Sequence, residues 1–166
     1  LDIEGAAVKR ETAAELQLTV GGVAVGGAGL IRPLRRSTNS SGYCCRHDYA
    51  FDIAVRNLGN ERLSGYHVDV EFPTRALEHP ETHGAYVRGR STKTLAFFRA
   101  SNDRAAELFP DDAPVVLSIP YYVDDAMFWN RDAAEHVYEQ RVRVTLYQPG
   151  LPPVTVEMQF ERLSNF

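Results

Sequence analysis

Between Tyr49 and Phe72 the chain reads "YAFDIAVRNLGNERLSGYHVDVEF", two runs in which apolar and polar residues alternate. Tyr49, Phe51, Ile53 and Val55 share one side of the first run, and Tyr66, Val68, Val70 and Phe72 share one side of the second. Successive side chains of a strand point to opposite faces, so each run predicts a strand lying on a core. Asn57-Leu58-Gly59-Asn60 supplies turn residues between them, which predicts two antiparallel strands. Pro73 then ends the second run for want of an amide donor.

The same period recurs along the chain. "AELQLTVGGVAV" predicts a strand, a Gly21-Gly22 turn and a second short strand. "GGAGLIRPLRRSTNSSGYCC" reads as a long connection with room for one short strand at Leu30 and Ile31. "TLAFFRA" and "VVLSIPYYV" predict strands, the second at an edge or a bulge because of Pro120. "VYEQRVRVTLYQ" and "VTVEMQFERL", joined by "PGLPP", predict a closing hairpin. No segment carries a long helical period. The expectation is an all-β chain, an antiparallel immunoglobulin-like β-sandwich of about seven to eight strands with long loops.

Three of these stretches carry a resemblance. "VRNLGNERLSGYHVDVEFP", the later "ELFPDDAPVVLSIPYYV" and the closing hairpin resemble the immunoglobulin-like sandwich modules appended to prokaryotic multidomain proteins. Such modules carry an Asn-x-Gly turn between two strands and a hydrophobic-Pro-Gly-Asp turn before a later one. The likeness runs from Ala14 to Leu163. Asp111 stands where the second turn has Gly, and the disulfide and core Trp of antibody domains are missing. The resemblance implies a binding or spacer role and brings no catalytic residues with it.

At 166 residues one domain is expected, residues 14–166, after an N-terminal extension over 1–13. The start at "LDIEGAAVKRE", without Met or a signal-like segment, suggests a domain excised from a longer polypeptide or a processed product, and the resemblance implies a bacterial parent. A hydrophobic fraction of 44% with no apolar run near the roughly 20 residues of a spanning helix describes a soluble globule. The net charge of −4 argues against general nucleic-acid binding, which draws on many Lys and Arg. Cys44 and Cys45 are the only cysteines and are adjacent, which leans towards a reducing, cytoplasmic compartment. No cofactor is expected.

Four clusters are candidates for chemistry. "EHPETH" gathers Glu78, His79, Glu81 and His83, with the two histidines at the i, i+4 spacing of zinc sites. That spacing needs a helix, and Pro80 interrupts it, so an exposed polar loop is favoured over a metal-dependent hydrolase. "YCCRHDY" sets Cys44 and Cys45 near His47 and Asp48, but neighbours on a strand face opposite ways, which favours packing thiols over a nucleophile. "PYYVDDAMFWN" offers Tyr121, Tyr122, Asp124, Asp125, Phe128 and Trp129 as a contact surface for a protein partner, or as a stacking surface for carbohydrate. The alternative is that these aromatics cap the core. Arg32, Arg35, Arg36, Arg88, Arg90 and Lys93 read as a solvated face rather than an anion site.

The favoured function is a non-catalytic accessory or recognition module that binds a protein partner or a neighbouring domain of its own polypeptide.

Overall fold

The computed structural model describes residues 16–25, 34–41, 44–101, 108–124, 127 and 137–163, without the side chains of 34–41 and 44–45. Nine strands occur among them: β1 (Leu16–Val20), β2 (Val23–Ala24), β3 (Leu34–Ser41), β4 (Cys44–Asn57), β5 (His67–Pro73), β6 (Leu95–Ser101), β7 (Val115–Asp124), β8 (Arg141–Tyr147) and β9 (Val154–Gln159). They form two antiparallel sheets and an all-β sandwich. Short 3-10 turns lie between and after the strands.

The first sheet is organised by the 14-residue β4. Tyr49 pairs with Arg35 of β3 and with Tyr121 of β7, while Ile53 pairs with Val20 of β1 and with Leu117 of β7. Hence β3 and β1 share one edge of β4 end to end, and β7 takes the other. The second sheet has the order β6-β5-β8-β9.

The alternation read from the sequence sets the core. Phe51, Ile53 and Val55 of β4 and Val68, Val70 and Phe72 of β5 are buried, with the Phe51 and Phe72 rings 5.6 Å apart. Two expectations change. The runs at 49–55 and 66–72 are not a paired hairpin: β4 and β5 lie in different sheets, because the nine residues between them form a cross-over. Part of the long connection is itself a strand, Leu34–Ser41, whose residues register against Ala50 to Cys44; the expected strand at Leu30 and Ile31 lies outside the described residues.

Asn57 anchors that cross-over. Its side chain is buried, donating Nδ2 to the carbonyls of Glu61 (2.8 Å) and Leu108 (2.9 Å) and accepting the Gly59 amide at Oδ1 (2.9 Å). Its backbone bonds to Asp111 and Asp112. The Asn-Leu-Gly and Phe-Pro-Asp-Asp turns are thereby one hydrogen-bonded unit. Asp111 takes φ 67°, a left-handed conformation that glycine reaches without a Cβ penalty.

Pro120 sits inside β7 at the edge of its sheet, as the sequence predicts. The Asn57 amide bonds to Asp112 and that of Val55 to Pro114, so odd-numbered residues of β4 face β7. Carried across the register shift at Ile53/Ala54, this leaves Ser118, Pro120 and Tyr122 with their backbone groups turned outwards. A proline there removes no ladder bond.

The connection between β5 and β6, residues 74–94, closes two edges. It first crosses the outer edge of β7, where His83 Nε2 bonds to the Ser118 carbonyl (2.9 Å). It then runs beside β6, with Val87 donating to Phe97 (2.8 Å), Arg99 to Ala85 (2.8 Å) and Thr92 to Leu95 (2.7 Å). We refer to this segment as the strap.

Candidate functional site

Tyr121 and Tyr122 are neighbours on β7 and therefore face opposite ways. Tyr121 points into the core, stacked on Tyr49 at 5.3 Å, and its hydroxyl donates to the Leu163 carbonyl at 2.7 Å. Burial raises its phenol pKa well above the ordinary tyrosine value. Tyr122 points outwards and is half-buried.

Two arginines grip Tyr122. The Arg46 guanidinium lies over its ring, 4.3 Å from the centroid, a position set by β4–β7 pairing, which places Asp48 opposite Tyr122 and Arg46 opposite Asp124. Arg75, from the 3-10 turn after β5, donates to the Tyr122 hydroxyl at 2.9 Å and lies 3.9 Å from Asp124. Asp124 in turn accepts the Met127 amide at 3.1 Å.

The charges are cross-linked. Arg46 donates to Asp48 (2.8 Å) and, through Nη2, to Glu78 of the strap (2.7 Å). The bond to Arg46 holds the Glu78 carboxyl below the usual glutamate range, and the bond to Glu78 holds the guanidinium above its ordinary value. A cavity of about 310 Å³ opens beside this cluster, lined by Arg46, Asp48, Glu78, Pro120, Tyr121 and Tyr122. A second, of about 370 Å³, lies under the strap between His83, Leu77, Phe98 and Ile119, and shares Glu78 and Pro120 with the first. Chemically the cluster offers guanidinium donors, carboxylate acceptors and an aromatic edge on one surface, a set suited to recognition.

The "EHPETH" residues do not converge on a metal geometry. Pro80–Thr82 form a single 3-10 turn, so His79 and His83 flank it instead of sharing a helical face. Both ring nitrogens of His83 are engaged: Nδ1 accepts the Ala85 amide at 3.1 Å, which places the proton on Nε2 for Ser118. His79 is exposed with Nδ1 3.5 Å from Glu81. Among the described residues no group of three or more His, Cys, Asp or Glu could hold a metal ion.

Cys44 and Cys45 lie in β4 opposite Ser41 and Ser40, with side chains outside the described set. Asp125, Phe128, Trp129 and Arg32 lie outside the described residues, and so do the side chains of Arg35 and Arg36. Arg88 belongs to a short 3-10 turn and Lys93 is exposed. Arg90 lies 4.0 Å over the Phe97 ring and 4.0 Å from Asp69, a packed cation on the outer face of the second sheet. Sequence reasoning missed Arg46 and Arg75. Arg46 sits on the outward parity of its strand, a signal that was present, but its meeting with Glu78 spans 32 residues and is set by the strap.

No protein-family model matches the chain, and no curated protein matches it. Among solved structures, a GH20 exo-β-N-acetylglucosaminidase from Vibrio harveyi in complex with N-acetylglucosamine aligns with 88% of this chain at 10% identity and a TM-score of 0.33. The aligned part spans 18% of the Vibrio chain, and a likeness of that size carries no weight for fold or activity. No helix among the described residues is long and apolar enough to cross a membrane.

Proposed function

We propose that this chain is a non-catalytic recognition module, an immunoglobulin-like sandwich that docks a protein partner or a neighbouring domain through the surface around Tyr122. The observation that carries the reading is the clasp itself: a half-buried tyrosine held by Arg46 and Arg75 beside an open cavity. Tyrosine and arginine on a rigid sheet are the residues that dominate protein interfaces, and their fixed rotamers lower the entropy lost on binding. The bonding of the Asn57 and Asp111 turns to each other supports the resemblance to appended sandwich modules.

A carbohydrate-binding reading is favoured by one feature, the ring of donors and acceptors around the same cavity. Stacking of a sugar on Tyr122 would require Arg46 to leave the ring face it covers.

Two assays on one protein separate the readings. A photoreactive side chain replacing Glu78 should give a dominant protein adduct, weakened about tenfold by Arg75→Ala, as expected for loss of an interface anchor. The same protein should leave a glycan array blank. Binding to a defined glycan that Tyr122→Ala abolishes would establish the second reading instead, and silence in both assays would remove the Tyr122 surface from either.

A further inference from the structure

We propose that this chain self-associates through β9, two copies joining edge to edge about a two-fold axis at Val156. The proposal is independent of the Tyr122 surface, because β9 is the far edge of the second sheet from β6.

The two edges of that sheet differ. The β6 edge is consumed by the strap. At the other end the Phe160 amide donates to the Gln140 carbonyl at 2.8 Å, which assigns the even-numbered residues of β9 to the ladder with β8. Thr155, Glu157 and Gln159 therefore turn their amides and carbonyls away from the sheet. No backbone bond among the described residues reaches them.

Several of the usual protections of an edge are missing. "VTVEMQ" contains no proline, no lysine and no break in register. Its inward valines, Val154 and Val156, are only half-buried although they face the core side, whereas Met158 is buried. Apolar surface and unpaired backbone thus lie along one line.

The strand also complements itself. An antiparallel dyad at Val156 sets Thr155 opposite the second copy's Glu157, and both are residues with outward backbone groups, so each such pair exchanges two hydrogen bonds. Gln159 then donates to the second copy's Pro153 carbonyl. On the inner face Val156 meets its own copy and Val154 meets Met158. Glu157 enters this pairing already bonded to Arg141 (2.8 Å) and Arg143 (2.6 Å), which hold its carboxyl below the usual range. Moving the dyad to Glu157 would oppose two carboxylates. Moving it to Thr155 would set Glu157 against Pro153, which has no amide to give.

Sedimentation of the 166-residue chain from about 1 μM to about 1 mM, the span in which small edge interfaces form, should show a mass rising from 18.6 kDa towards twice that value. Thr155→Pro removes an outward amide and leaves the β8 ladder intact, and it should return the monomer mass with an unchanged circular dichroism spectrum. Should that variant fail to fold, cross-linking decides. Val156→Cys, in a Cys44→Ser, Cys45→Ser background, places two thiols at a Cα separation of about 4.5 Å, within disulfide reach. It should oxidise to a covalent dimer faster than Thr155→Cys, whose position does not meet itself. A wild-type chain that stays monomeric throughout, a dimer mass indifferent to Thr155→Pro in folded protein, or equal cross-linking at both positions would each overturn the proposal.

Discussion

The Nε2 of His83 lies 2.9 Å from the carbonyl of Ser118, so a single imidazole joins the strap to the outer edge of β7. The same ring accepts the Ala85 amide, and Ala85 in turn accepts from Arg99 of β6. One side chain thereby links the margins of both sheets. His83→Ala should cost about 1 kcal/mol, the net worth of a part-buried hydrogen bond, read as a lower midpoint in chemical denaturation. Amide exchange at Ala85 should accelerate in the same variant. His79→Ala should change neither, since that ring is exposed. Prolonged chelation should leave the melting temperature of the wild-type protein in place, because His83 is spoken for by carbonyl and amide; a chelator-induced drop reversed by zinc would show the ring serving a metal instead.

Asn57 should be among the least replaceable polar residues of the fold. Its buried side-chain amide satisfies two carbonyls and one backbone amide. Asn57→Ala would leave those groups unpaired, and a loss of about 2–4 kcal/mol is expected from the usual penalty for buried unsatisfied groups. Asn57→Asp keeps the acceptor for Gly59 but sets a carboxylate oxygen against the Glu61 and Leu108 carbonyls, so it should not rescue. Urea denaturation of the three proteins measures both outcomes.

The architecture was legible where one strand face is buried. Alternation in "YAFDIAV" and "YHVDVEF" marked the inward residues of β4 and β5, since a period of two leaves no other way to bury them. Pro120 marked an edge because it has no amide to share. Which strand pairs with which was not legible. The Asn57 turn looks like a hairpin turn, yet the chain crosses there to the second sheet, and only the long-range bonds to Leu108 and Asp112 decide this. The candidate surface was half legible for the same reason. Tyr122 was marked by its aromatic excursion, but parity alone could not say which of Tyr121 and Tyr122 faces the core. Arg75 reaches Tyr122 across 47 residues of sequence and Arg46 reaches Glu78 across 32, separations that no local pattern encodes.

The Glu78–Arg46 bond should be visible in acid. Arg46 lowers the Glu78 pKa below the ordinary value of 4.5, so the folded protein binds fewer protons at this site than the unfolded chain does. The contribution to stability is therefore present above pH 4.5 and lost as pH falls through the lower folded value. Carboxyl chemical shifts should titrate with a midpoint below 4.5 for Glu78 in the wild type, and that midpoint should rise in Arg46→Met. An unchanged midpoint would mean that the pair does not persist in solution. The effect on melting temperature should be small and weaken with salt, because Glu78 is open to solvent.

Tyr121 provides the test of how the C-terminal turn is held. The residues Phe160–Leu163 form a 3-10 turn whose Phe160 and Leu163 side chains are buried, and the Tyr121 hydroxyl donates to the Leu163 carbonyl at 2.7 Å. The ring also meets Phe160 and Phe72 at 5.7 and 5.3 Å. Tyr121→Phe keeps those contacts and removes only the hydroxyl, leaving a buried carbonyl without its donor, so a loss of about 1–3 kcal/mol is expected. Tyr121→Ala also opens a cavity and should cost more, about 3–5 kcal/mol as for other large core aromatics. Equal losses in the two variants would mean that the hydrogen bond accounts for the whole effect and the packing for none. A neutral Tyr121→Phe would mean that water reaches the Leu163 carbonyl once the hydroxyl is gone, and the turn would then be held by Phe160 and Leu163 alone.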